Sequence, residues 1–204
     1  MHSLDEFYGL RDKLDELAEV PCKANWLGAR RRYVEEQYGR RGLDDVAARL
    51  PDEALRRSFL EPPLPMSWAR VGTVVAIDHA IFEGPMGGSL GRMRHFGGEI
   101  AKYDVPSLYR AFIRLGTPSF VLSKIGLVWS MYFRKGALTT ELRDGSADIH
   151  LRGLVLPAYL CQHGISGWLD ATLELVEARA PVVRHGRCVH AGDDHCVWTA
   201  SWRT

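Results

Sequence analysis

The chain has 204 residues, 46% of them apolar and 25% charged, a composition that suits one folded domain with a real core and excludes a disordered chain. Lysine and arginine outnumber acidic residues by only 26 to 25, so no overall charge draws the protein to nucleic acid or an anionic membrane, and no direct nucleic-acid contact is expected. No apolar run approaches the ~18 residues of a membrane span, and the charged opening MHSLDEFYGLRDKLDELAEV lacks the apolar centre of a signal peptide, so a cytoplasmic protein is expected.

Ser3 and Glu6 form a capping-box pattern, and Phe7, Leu10, Leu14 and Leu17 recur at helical spacing as far as Pro21. Residues 1–24 read as a helical extension ahead of a domain over 25–204. Asn25 is placed to cap a helix from Trp26 to Tyr38 that Gly39 closes, and shorter helices follow over 43–50 and 51–59. The stretch EPPLP (61–65) is a stiff connector, too short to separate two cores, and Ser67 opens an apolar helix to about Phe82. EGPMGGSLG (83–91) is a glycine-rich loop; with no readable strand before it and no GK[ST] after it, the pattern is not that of a phosphate-binding loop. Helices are expected over 106–115 and 118–135, each with proline near its first turn. Between Arg92 and Lys135, eight basic residues face two acidic ones, a pattern of solvated helix faces or of an anion or partner surface.

The texture changes at residue 138. LTTELR (138–143), the turn Asp144-Gly145 and ADIHLRGL (147–154) read as a β-hairpin. Pro157 opens a long helix with an apolar face of Leu160, Trp168, Leu169, Leu173 and Val176. VVRHGRCVH and CVWTASW then form two strands around Ala-Gly-Asp-Asp (191–194). The order β-β-α-β-β predicts an α+β fold, an N-terminal helical layer packed on a small antiparallel sheet.

Three of the four cysteines, Cys161, Cys188 and Cys196, fall in the last quarter of the chain with four of the eight histidines; Cys22 stands apart. With a three-residue loop in the last hairpin, Cys188 faces Cys196 and His190 faces Asp194, with opposed Cβ atoms ~5 Å apart. Cys161, early in the preceding helix, can reach the same point. Strand alternation would put His185 and Cys188 on opposite faces, but Gly186 permits a bulge that brings them together. Cys161, His185, Cys188 and Cys196 would then supply a closed, structural zinc site. Buried free cysteines and a Cys188–Cys196 disulfide are the alternatives, and His163, His190 and His195 are substitute ligands.

The segments PAYLCQHGISGWLDATLELV and HGRCVHAGDDHCVWTASW resemble the 4-vinyl reductase domain, which also forms the sensory module of phenol-responsive bacterial activators. The family's terminal C-x4-G-x2-HC motif reads here Cys188-VHA-Gly192-DD-His195-Cys196, with three residues between Cys and Gly. In the phenol sensors three cysteines and an acidic residue hold zinc; the resemblance places Cys161, Cys188 and Cys196 at the thiolate positions and His185 at the acidic one. GARRRYVEEQYGRRGLDDVAARLP (28–51) and LYRAFIRLGTPSFVLSKIGLVWSMYFRKGAL (108–138) resemble more closely an uncharacterised myxobacterial paralogous family related to that domain and to haem-NO-binding-like folds. The resemblance spans roughly residues 25 to 203 and implies a ligand-binding, often dimeric fold. No haem is expected, because the Y-x-S-x-R pattern of haem-NO sensors is missing.

A ligand pocket is expected from His95, Tyr103, Tyr109, Phe112, Trp129 and Phe133, suited to a small hydrophobic or aromatic molecule; Trp68 and His79 are further pocket-facing residues. No G-x-S-x-G, H-E-x-x-H, Rossmann or H-x-E…P-C-x-x-C set is present, which argues against an enzyme. The expected function is therefore a non-enzymatic sensory domain with structural Zn2+, forming a homodimer and signalling through a separate protein partner. An interaction adaptor without a pocket, or a reductase-like enzyme, is the alternative.

Overall fold

The computed structural model describes residues 8–9, 15–104 and 116–203. The helical part comprises α1 (Asp15–Ala18), α2 (Asn25–Arg49), α3 (Glu53–Leu60), α4 (Val71–Glu83), α5 (Gly91–Asp104), α6 (Pro118–Ser123) and α7 (Ile125–Tyr132). Two short strands, β1 (Pro21–Lys23) and β2 (Trp68–Arg70), pair within it. Then come β3 (Ala137–Arg143), β4 (Ser146–Arg152), a π-helical turn Leu160–Gly164 that runs into α8 (Ile165–Leu175), β5 (Arg179–Arg187) and β6 (Cys196–Arg203). The four later strands form one antiparallel sheet in the order β3-β4-β6-β5. The predicted α+β class and the β-β-α-β-β order both hold.

Local chemistry explains most elements. β4 buries Ala147, Ile149 and Leu151 and leaves the alternate side chains outward, the period-two signature of a half-covered strand. Gly145 supplies the left-handed residue (φ 65°) that the β3–β4 turn requires. Thr117 caps α6 by accepting the Phe120 N–H at 3.2 Å, with Pro118 in the first turn. Core packing is continuous: Leu17, Val20 and Cys22 share one apolar cluster with Trp198 and Ala200.

Several expectations need correction. Gly39 does not end its helix; it kinks α2 at φ 63°, and the chain resumes helical form to Arg49. Asn25 is the first helical residue and not the cap, a position taken by Ala24 without side-chain help. Residues 68–70, expected in a helix, are extended because β1 pairs with them. Lys124 splits the predicted 118–135 helix in two. Trp168 is only half-buried, whereas Trp198 is fully buried. The capping box at Ser3 and Glu6, residues Phe7, Leu10 and Leu14, and the helix expected over 106–115 lie outside the described residues.

Helix α5 was not anticipated, because Gly91, Gly97 and Gly98 depress its helical propensity. One of these glycines and one on α8 serve packing. A Cβ on Gly97 would overlap the Gly164 carbonyl oxygen, and one on Gly167 would overlap that of Arg94. Backbone thus meets backbone where α5 crosses the π turn and α8. A second tie is a buried network: Arg30 donates from Nε and Nη2 to the Asp78 carboxylate at 2.6 and 2.9 Å, and the Tyr159 hydroxyl donates to the same carboxylate at 2.5 Å. It fastens α2 and α4 to the turn that leads into Cys161.

Two stability outcomes follow. Gly167→Ala should destabilise by about 2–3 kcal/mol through forced separation of the helices, whereas Gly28→Ala, whose added Cβ meets nothing within 4 Å, should be neutral or stabilise by up to ~1 kcal/mol; urea unfolding of both variants reads this contrast. Asp78→Ala strands the buried Arg30 charge and should lower stability by about 3–5 kcal/mol in the same assay.

Candidate metal centre

The last hairpin and the helix before it converge on one point. Pro157 starts the helical turn, and both Leu160 and Cys161 donate their N–H groups to its carbonyl. The chain then takes a wider π turn over Leu160–Gly164, a form often found at functional sites, and Cys161 sits fully buried within it. On β5 the register shifts between His185 and Arg187, so Gly186 is the extra residue of a bulge, as its sequence position suggested. The ladder ends at Arg187–Val197, and one further step in that register sets Cys188 opposite Cys196.

Three sulfurs and one imidazole nitrogen therefore lie within 4.8 Å of one another: those of Cys161, Cys188, Cys196 and His185. Cys161 Sγ is 2.7 Å from Cys196 Sγ, 3.6 Å from Cys188 Sγ and 3.4 Å from His185 Nε2. Cys188 and Cys196 are not joined by a disulfide.

The hairpin tip departs from the expected three-residue loop. Val189–Ala191 form a 3-10 turn, Gly192 is left-handed (φ 95°), and the Asp193 carboxylate accepts the Cys188 N–H at 2.7 Å. His190 consequently does not face Asp194; its Nε2 donates to the Leu156 carbonyl at 2.7 Å. His195 points to the other side of the sheet, where its Nε2 lies 3.0 Å from His150 Nδ1. His163 shares the turn of Cys161 but is not part of the cluster. Of the four histidines near the cysteines, His185 is the one that joins them.

Trp198 was not singled out from the sequence as a site residue. Its ring stacks on His185 at 4.9 Å, and its indole N–H donates to the Cys161 carbonyl at 3.1 Å. The signal was available: two residues beyond Cys196 on the same strand, Trp198 must share its inward face.

The thiols divide their protons unequally. Hydrogen bonds from Cys161 and Cys196 hold the Cys188 thiol far below its ordinary range, against burial, with help from His185 and the His190 N–H. Cys161 is driven far above that range by its bonds to Cys188 and Cys196 and by burial. For Cys196 the bond from Cys161 lowers the value, but the bond to Cys188 and burial outweigh it and push the thiol up to about 12. The three thiols therefore titrate as one group and not independently.

The expected pocket residues are dispersed. Trp129 and Phe133 stack at 4.2 Å in the core, with Phe133 edge-on to Trp26 and the Trp129 indole donating to the Lys135 carbonyl. Tyr103 instead donates to Glu36; burial and that bond push its hydroxyl up to about 12. Trp26 and Glu36 stand ten residues apart on α2, about 15 Å along its axis, so the Trp129–Phe133 pair and Tyr103 are not in contact with one another. His95 is exposed on α5, and His79 is half-buried on α4 beside Tyr8, ring centroids 5.3 Å apart. Tyr109 and Phe112 lie outside the described residues.

No protein-family model matches the chain, and no curated protein matches it, which leaves the 4-vinyl reductase resemblance without support. Solved structures do match. An H-NOX protein from S. oneidensis in the Fe(II)NO ligation state superposes with a TM-score of 0.69 at 12% identity, covering 89% of this chain and 99% of that one. The Fe(II) unliganded H-NOX protein from K. algicida gives 0.66 at 11%, covering 89% and 97%. An oxygen-binding H-NOX domain related to soluble guanylate cyclases gives 0.63 at 11%, covering 89% and 95%. At these identities the likeness establishes the fold, and the haem-NO-binding-like part of the sequence reading holds at that level. It also overturns the expectation that haem is foreign to this chain: solved proteins of the same architecture carry Fe(II), and heme distortion has been probed in the H-NOX family.

Proposed function

We propose that this chain is a non-enzymatic small-molecule sensor domain. In this reading a zinc ion on Cys161, His185, Cys188 and Cys196 clamps the terminal hairpin to the helix before it. The observation that carries the metal is the cluster itself, four ligand atoms from three elements within 4.8 Å. Thiolates bound to one tetrahedral zinc at ~2.3 Å stand about 3.8 Å apart. The Cys161–Cys188 separation of 3.6 Å already approaches this, and Cys196 needs to retreat by about 1 Å from its 2.7 Å contact with Cys161. Four protein ligands complete the coordination shell, so the ion holds structure and leaves no position for an activated water. The fold supports the sensory half of the reading, since its solved neighbours are NO- and oxygen-binding proteins. Output passes to a separate protein partner, with a homodimer as the signalling unit.

The same neighbours support a haem as the internal ligand, whose iron would supply reversible capture of a diatomic gas. Among the described residues of the helical layer, His79 is the histidine placed inward and the one suited to hold such a group; His95 faces solvent.

Native mass spectrometry of freshly purified protein, with an absorption spectrum, tests both parts. One zinc per chain is expected, lost together with thermal stability in Cys188→Ser, because metal binding and folding share free energy. A metal-free wild type of equal stability would remove the zinc. A Soret band would assign the haem, and a co-purifying aromatic compound without one would assign an organic ligand. Zinc binding should displace thiol protons, so affinity should fall as pH drops; chelator competition between pH 8 and 6 measures the slope.

A further inference from the structure

The near-zero net charge conceals one local surface where apolar and cationic side chains meet. Three of the eight exposed large apolar side chains among the described residues fall within five positions: Leu64 at 81%, Met66 at 60% and Trp68 at 42% exposure. They are not on a floppy loop. Pro62, Pro63 and Pro65 stiffen the tip, and its base is pinned where Ser67 donates to the Leu64 carbonyl and where Asn25 and Ala24 donate to the carbonyls of Pro65 and Ser67. The side chains are therefore held out in a fixed arrangement, which removes most of the ordering penalty of binding.

Two cations bracket this tip. Lys23 Nζ lies 3.6 Å from the Trp68 ring centroid and donates to the Met66 carbonyl at 2.8 Å, while the Arg134 guanidinium lies 4.3 Å from the same ring. We propose that this tip is a docking site for an anionic membrane surface. Leu64 and Met66 would enter below the headgroups, Trp68 would rest at headgroup level, and Lys23 and Arg134 would meet lipid phosphates. A second copy of the chain fits poorly, since a twofold contact through the tip would bring its cations against their own copies. A purely apolar protein groove would bury both charges without a counterion.

Flotation with unilamellar vesicles tests the assignment, using phosphatidylcholine alone and phosphatidylcholine with about 30% phosphatidylglycerol. The wild-type chain should bind the anionic vesicles and release them at high salt. Leu64→Ser/Met66→Ser and Lys23→Glu/Arg134→Glu should each weaken binding at least tenfold with unchanged thermal unfolding. Absence of binding, equal binding to neutral vesicles, or equal binding by the variants would overturn the proposal. So would a concentration-dependent dimer in sedimentation that Leu64→Ser/Met66→Ser abolishes, which would give the tip to a second copy. Zinc content and any internal ligand are independent of all these outcomes.

Discussion

Three buried sulfurs and an imidazole within 4.8 Å form the tightest chemical constraint in the molecule. Thiols of ordinary acidity cannot all ionise at such separations, because each thiolate disfavours the next. A divalent ion inverts that balance by making three thiolates favourable together. The surrounding features serve the convergence: the π turn that aims Cys161 inward, the Gly186 bulge that turns His185 toward it, the Asp193 carboxylate that fixes Cys188, and Trp198 behind both His185 and the Cys161 carbonyl. The π turn and the bulge are departures from regular geometry, and both occur within a few residues of the cluster.

The cluster is also tied to the helical layer. Tyr159, two residues before Cys161, is anchored on the Arg30–Asp78 pair. Arg94 of α5 reaches the Asp170 carboxylate on α8 and the Val183 carbonyl on β5, both at 2.8 Å. The buried Arg30–Asp78 pair contributes little net stability but is costly to break, so it favours one relative placement of the two layers over others.

The sheet was legible in the sequence because its signals are local. Asp144-Gly145 marks a turn, alternation assigns the faces, and Gly186 between His185 and Arg187 marks the bulge. The meeting of the cysteines with His185 was legible for the same reason, since register places Cys188 beside Cys196. What escaped depends on tertiary context. The glycines of α5 lower its helical propensity, yet Gly97 is there to let another backbone approach. Residues 68–70 read as helix until β1 is seen beside them. Gly39 reads as a terminator, although the chain beyond it has helical partners of its own. Aromatic residues at helical spacing suggested a cavity, but Trp129 and Phe133 stack on each other as ordinary core.

The glycine contact between α5 and the cysteine-bearing turn has a mechanical meaning. Interlocking side chains can slip between rotamers and absorb a small displacement, but two main chains in direct contact have no such compliance. Tilting α5 by a fraction of an ångström therefore carries Cys161 with it, while Cys188 and Cys196 stay with the sheet. The crossing acts as a pivot without play, through which an event among the helices would be felt as a change in the spacing of the sulfurs.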